Sequence, residues 1–374
     1  MKIAILTHPL GTNYGGMLQN CALQQVLEGL GHTPITINYQ FETSLKTKVL
    51  SFGKRLLLRI KGERIPLRVW LTRKEYLYIT QFTRDFIKEH IKVSELFFLD
   101  KIKKQDFGDI DAIIVGSDQV WRGSNPNIEK FYLCDFVNND IIKIAYAASF
   151  GVDYWEMTPK LTARCAKLAS LFRAISVREQ SGASLCKNFL GVDAQFALDP
   201  TLLLNADYYS RIIGEKEIES NKDKYLYTYV LDNAPYKTQI TEKLSEKLSL
   251  NTHSVMVRKY FKEVGYSGLS DCVYPPVEQW LRGFKDADFV VTDSFHGTVF
   301  SIIFHKPFIS IVNKKRGADR FVSLLSMLGL EDRLVDNADD ALRQVESPID
   351  FETTDIILDG LRKSSMTFLK DNLI

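Results

Sequence analysis

The chain has 374 residues, 45% of them hydrophobic, and a formal net charge of +2. That length favours two domains with cores of their own, and no run reaches the roughly 18 consecutive apolar residues of a membrane span. The five cysteines (Cys21, Cys134, Cys165, Cys186, Cys272) form no close pair, which argues against a zinc site or a disulfide framework and predicts a reduced, cytoplasmic protein.

Lys2 leads directly into a buried-strand run, "KIAILTH" (2–8), and not into a secretory signal. A Gly-rich loop follows, then apolar residues at helical spacing over 17–31 with a glycine stop. The next strand is predicted at 33–39. Between Lys46 and Lys74 the chain carries ten Lys/Arg and one acidic residue, a net +9, so the remainder is −7. Large apolar residues are mixed in, among them Leu56, Leu57, Leu58, Ile60, Val69, Trp70 and Leu71. Two readings fit this arm: an apolar side packed on the body with a solvated basic side, or a surface for peripheral membrane contact. Further strands are predicted at 111–118, 141–151, 172–179 and 194–200.

A second set begins near Lys224. Strands are predicted at 225–231, 253–257, 288–294 and 307–312, helices at 236–249, 277–287, 297–305 and 319–330, and a terminal helix at 353–373. Strands alternating with helices imply βαβ units on parallel sheets. The fold class is therefore α/β: two doubly wound Rossmann-like domains facing across a cleft, GT-B-like. The expected division is an N-terminal domain at 1–210 (acceptor side, with the basic helical arm at about 46–105), a C-terminal domain at 211–345 (donor side), and a helical segment at 346–374 packing back on the first domain.

Ligands of open α/β sheets bind beyond the carboxyl ends of the strands. Four clusters fall there. In "HPLGTNYGGMLQ" (8–19), Asn13, Tyr14, Gly15, Gly16 and Gln19 open a helix whose free N–H groups suit an anion or the acceptor; a plain turn would also use the glycines. In "GSDQVW" (116–121), Ser117, Asp118 and Gln119 end a strand, and Asp118 can accept from a hydroxyl or serve as an N-cap. In "SVRE" (176–179), Arg178 suits a carboxylate or phosphate, or an internal pair with Glu179. In "TDSFHGT" (292–298), Ser294, Phe295, His296, Gly297 and Thr298 straddle a strand-to-helix turn, where a histidine can move a proton and the helix start favours an anion. Arg320 opens another helix. No metal-ligand cluster is visible; Mg²⁺ held mainly by phosphate would leave none.

These segments, with "YAASFG" (146–151) and "LDPTLLL" (198–204), resemble the polysaccharide pyruvyl transferases in the same order, from residue 1 to about 330. The "SFHG" form is similar to that of one large subgroup. The resemblance implies a transferase that adds a pyruvate ketal from phosphoenolpyruvate to a sugar of a surface polysaccharide or lipid-linked precursor, such as an exopolysaccharide. It implies no cofactor beyond that co-substrate, and a small-molecule donor, a carbohydrate acceptor and no nucleic acid as partners. A homo-oligomer and a place at the inner face of the cell membrane are compatible with it. His296 matches the family's motif histidine, with Asp118 as a second catalytic candidate. Arg178 matches an arginine that contacts the donor, and Ser294, Phe295, Gly297, Thr298 and Arg320 complete the donor set. The best-known members carry Arg-Leu-His where this chain has Ser294-Phe295-His296, so Arg320 is the candidate to supply the missing cation. Competing readings are glycosyl transfer from a nucleotide sugar on the same architecture, and a non-catalytic glycan-binding relative.

Overall fold

The computed structural model describes residues 1–40, 44–98, 109–125, 128–214, 224–312 and 317–374. Residues 99–105 of the arm and 215–223 of the expected domain junction lie outside these. Its strands are β1 (Lys2–Leu6), β2 (Thr33–Thr36), β3 (Tyr39–Gln40), β4 (Phe97–Phe98), β5 (Ala112–Val115), β6 (Ile142–Ala148), β7 (Ala174–Val177), β8 (Gln195–Phe196), β9 (Tyr225–Tyr229), β10 (Asn251–His253), β11 (Phe289–Thr292), β12 (Phe308–Ile311) and β13 (Leu334–Val335).

Two parallel sheets carry the fold. The first has the order β2-β1-β5-β6-β7-β8, the second β10-β9-β11-β12-β13. β1, β5 and β11 are apolar runs with every inward and outward residue from Ile3, Ala112 and Phe289 onward buried, as strands covered by helices on both faces must be. β3 and β4 pair with each other at the side of the first sheet.

The helix Tyr14–Gly29 is buried on nearly all sides, because it lies between the two halves. Its Tyr14, Met17, Leu18 and Cys21 share one apolar core with Trp280, Phe284, Val299 and Phe300 of the second half. Tyr14 stacks on Trp280 at 5.5 Å between ring centroids. The last helix, Phe351–Asn372, returns to the first sheet, where Phe368, Leu369 and Leu373 join Ile3, Ile5 and Leu23. Ser365 Oγ accepts from the Leu198 N–H at 3.0 Å.

Three elements depart from expectation. The strand predicted at 253–257 lies at 251–253 instead, on the sheet edge and exposed, where packing does not enforce the apolar pattern. The run 194–200 forms only two strand residues, because Asp199 caps a 3₁₀ turn that begins at Pro200. The arm's helix, Leu45–Ile60, buries none of its residues, so its apolar side does not pack on the body. The arm is instead held farther along: Arg68 makes a two-pronged pair with Glu75 at 2.5 and 2.7 Å and lies over the Phe261 ring. No helix among the described residues is long and apolar enough to cross a membrane.

Candidate active site

The carboxyl ends of both sheets face one cavity of about 480 Å³. From the first half it receives His8 after β1, Asn13 to Gly15 at the helix start, and Asp118 with Gln119 after β5. From the second half come Tyr229, Ser294, Phe295, His296 and Arg320, with Tyr260 and Tyr274 on the wall.

At the centre sit Asp118, Arg178, Asp199 and His296, all buried. Arg178 ends β7 and turns back under the cavity floor. Its guanidinium donates to Asp199 Oδ2 at 2.5 Å and to Asp118 Oδ1 at 3.4 Å, and lies 4.6 Å over the Phe295 ring. The internal pair with Glu179 does not form: Glu179 Oε1 accepts the N–H groups of Phe150 and Gly151 at 2.6 and 3.1 Å. Burial pushes the Glu179 carboxyl up, against Arg178 and the Gly151 amide.

Asp199 is fully enclosed. It accepts from Arg178, from the Thr201 amide at 3.1 Å and hydroxyl at 2.7 Å, and from Ser117 Oγ at 3.2 Å. Burial would raise its carboxyl, but His296 and Arg178 outweigh that and hold it below the ordinary carboxylate range. Asp118 behaves alike: burial is overcome by the charges of His8, Arg178, His296 and Arg320. Its backbone lies in the left-handed region (φ 77°), a conformation Asp tolerates because its short side chain bonds locally. Here that bond is from the Gln119 N–H at 2.8 Å.

His296 stands in the first turn of the helix Phe295–Ile303, capped by Ser294 Oγ accepting from the Gly297 N–H at 3.4 Å. One ring face is pressed on Gly15, where a Cβ would collide with Nδ1 and Cγ. Its Nε2 lies 3.6 Å from Asp199 Oδ2 and is a buried nitrogen without a hydrogen-bond partner. A buried unsatisfied ring nitrogen beside a cavity is a place for a ligand atom or a proton.

Arg320 reaches the same place from the helix Asp319–Met327. That helix is tied to the first half by Ser181 Oγ donating to Asp319 and by the Gln180 N–H donating to Ser323 Oγ at 3.1 Å. Its guanidinium also lies over the Phe295 ring, 5.4 Å from the centroid, and 3.9 Å from Asp118 Oδ1. Burial, and then Arg178, lower its pKa to about 10, so it remains a cation at neutral pH.

The structure thus gathers Asn13, Tyr14, Gly15, Asp118, Gln119, Ser294, Phe295, His296 and Arg320 on one cavity. Other candidates stand behind it. Gly16 supports the Asn13 cap. Gln19 is buried and donates to Thr7 Oγ1 at 3.3 Å. Ser117 supports Asp199, and Thr298 bonds Ser310 at 2.6 Å. Gly297 packs on Thr292 so closely that a Cβ would clash. Arg178, expected to hold a donor anion directly, spends its charge on Asp199 and Asp118 because both carboxylates share its buried pocket.

Two residues were not singled out from the sequence. Asp199 lay inside the matched segment 198–204, and that was its signal. His8 follows the β1 strand, and strand-end position was its one signal. His8 Nδ1 meets Tyr132 Oη at 3.1 Å, Tyr132 Oη meets Tyr39 Oη at 2.6 Å, and Tyr39 Oη donates to the Thr7 carbonyl at 2.8 Å. Since Tyr39 gives its proton to Thr7, Tyr132 must donate to Tyr39 and His8 must donate from Nδ1. With one ring proton, placed on Nδ1, the imidazole carries its lone pair on Nε2. Among the described residues no group of three or more His, Cys, Asp or Glu is placed to hold a metal ion.

Two Rossmann-like halves with a polar cleft between their strand ends define a GT-B-like protein. Likeness to solved structures bears on the fold alone, and of two such structures one reaches a TM-score of 0.50. The N-terminal domain of a trehalose-6-phosphate phosphatase from Candida albicans matches with a TM-score of 0.50 at 11% identity, covering 100% of this chain and 96% of that one. A UDP-N-acetylglucosamine 2-epimerase from Rickettsia bellii gives 0.49 at 12%, covering 99% and 98%. Comparison with curated proteins finds no significant match. The family model described as polysaccharide pyruvyl transferase matches residues 13–315. The chain belongs to the polysaccharide pyruvyl transferase family, a family of transferases.

Proposed function

We propose that this protein transfers the pyruvyl unit of phosphoenolpyruvate to two hydroxyls of one sugar in a surface polysaccharide or lipid-linked precursor. Protonation of the donor at C3 makes C2 electrophilic; one hydroxyl adds to C2, and the second displaces phosphate from it. A cyclic ketal and phosphate result. His296 is the acid that delivers the proton to C3, and His8, through its Nε2 lone pair, is the base that takes the first hydroxyl's proton. Arg320 holds the donor's carboxylate or phosphate and stabilises charge on the leaving group. Asp118 and Asp199 stay ionised and hold His296 and the two arginines in place. Asp118 is thereby an electrostatic anchor and not a proton donor. Arg178 is a positioning residue acting through Asp199. Tyr260 and Tyr274 offer rings to an acceptor sugar.

The observation that carries this reading is His296 beside Arg320 on one cavity, with the imidazole Nε2 3.6 Å from the Asp199 carboxylate. Arg320 over Phe295 supplies a guanidinium near the motif that lacks its own arginine, which favours pyruvyl over glycosyl transfer. The test is a thermal-shift series with phosphoenolpyruvate and a panel of nucleotide sugars. Phosphoenolpyruvate should raise Tm in the wild type and not in Arg320→Gln. Stabilisation by a nucleotide sugar alone would move the assignment to glycosyl transfer.

A further inference from the structure

The helix Leu45–Ile60 is capped by Ser44, whose Oγ accepts from the Thr47 N–H at 3.2 Å. None of its residues is buried. Leu45, Val49, Phe52, Leu56 and Ile60 recur every three or four residues, so they form one stripe along the helix. The stripe faces solvent: Leu45 is 77%, Val49 62% and Ile60 74% exposed. Leu50 and Leu57 widen it. The helix carries Lys46, Lys48, Lys54, Arg55 and Arg59 and no acidic residue. It is an amphipathic helix turned inside out with respect to its own protein.

The helix is not a loose appendage. Arg55 donates to the Lys262 carbonyl at 2.7 Å. Pro66, just beyond it, packs on Gly265, and Arg68 lies over Phe261 at 5.1 Å. The segment so gripped continues from Met256, Val257 and Tyr260, which line the cavity. The apolar stripe is therefore presented beside the cavity wall.

We propose that this helix seats the protein on an anionic lipid bilayer, lying in the plane of the interface with its stripe among the acyl chains. An apolar stripe flanked by basic residues is the chemistry of such helices. The charge decides against a second copy of the chain as the occupant: pairing the helix with itself would bury the two apolar stripes but bring their basic flanks together with no acidic partner on either helix. The seating turns the cavity's side wall to the bilayer surface, where a membrane-borne acceptor would be within reach.

The test is co-sedimentation of the full chain with vesicles of phosphatidylcholine alone, or mixed with phosphatidylglycerol, at low and high salt, with molar mass in solution measured in parallel. Wild type should bind the anionic vesicles at low salt and release them as salt rises. Val49→Ser/Leu56→Ser/Ile60→Ser should weaken binding at least ~10-fold by removing the stripe. Lys46→Gln/Lys54→Gln/Arg59→Gln/Lys61→Gln should weaken it by up to ~10²-fold. Because the helix buries nothing, both variants should keep the wild-type Tm, which separates lost binding from lost fold. Wild type remaining in the supernatant with anionic vesicles at low salt overturns the proposal, as does undiminished binding by the serine variant. A doubled mass that the serine variant returns to monomer overturns it too, and assigns the face to a second copy.

Discussion

The chemistry rests on a few side chains whose surroundings leave them one role each. His296 Nε2 lies 3.6 Å from Asp199 Oδ2 and helps hold that carboxyl ionised, so His296→Asn should lower Tm modestly while the chain still folds. Turnover with phosphoenolpyruvate should fall roughly 10²–10⁴-fold if the imidazole is the acid; an active variant removes it from that role. Gly15 tests the same ring from behind. A methyl there meets the imidazole, so Gly15→Ala should displace it, lower turnover on the order of 10²-fold and cost about 1–3 kcal/mol by overpacking, read from steady-state rates and urea melts. His8 is distinguished by a pH profile. A base must be unprotonated, so wild-type activity should rise with pH along the acidic limb. In His8→Gln that limb should vanish while donor binding, read by thermal shift, persists. An unchanged limb would leave His8 a structural partner of Tyr132.

Elements set where those side chains stand. Caps after the strand ends fix where each following helix or turn begins: Asn13, Asp199 and Ser294 each accept an N–H of the first turn. They make the site and the fold the same structure, since Asn13 also donates to Asp118 at 3.4 Å. The terminal helix works differently. Phe368 is buried against Tyr146 with ring centroids 6.2 Å apart, and Arg362 Nε donates to the Leu202 carbonyl at 2.7 Å. Phe368→Ala should cost about 3–5 kcal/mol in a denaturant titration. Because the helix backs the strand that leads to Asp199, activity should fall with stability and not independently of it.

At the scale of the whole molecule, one buried charge network joins the halves. Asp199 pairs with Arg178 in the first half and faces His296 of the second at 3.6 Å. Its carboxyl is held below the ordinary range on folding, so protonation favours the unfolded chain. Its contribution is complete above the unfolded carboxylate pKa of about 4 and is lost as pH falls below that towards the folded value. Asp199→Asn should flatten this acid limb of stability and cost about 3 kcal/mol at neutral pH by leaving Arg178 short of its closest anion. Urea midpoints from pH 3 upward, taken at roughly half-unit steps through the window around 4, check both. An acid limb unchanged in Asp199→Asn would place the linkage on another group.

The local pattern of the chain determined the strands and helices, because burial on both faces writes unbroken apolar runs and burial on one face writes a helical period. It also placed Asp118, Arg178 and His296 at strand ends, and the order of motifs pointed to the family. The errors have separate causes. The exposed β10 carries no burial signal, the turn that Asp199 caps cuts β8 short, and the apolar residues of the arm have the same period whether they face a core or solvent. Nothing local could show that Arg178 answers to Asp199, that His8 looks at Asp118, or that Arg320 comes to Phe295 from a different helix. Those are decided by how the two halves dock through the Tyr14–Gly29 helix and the Ser181–Asp319 contact. Side-chain periodicity reports what a segment buries; only the closed tertiary structure determines which charges are buried together, and there low dielectric makes each depend on the others.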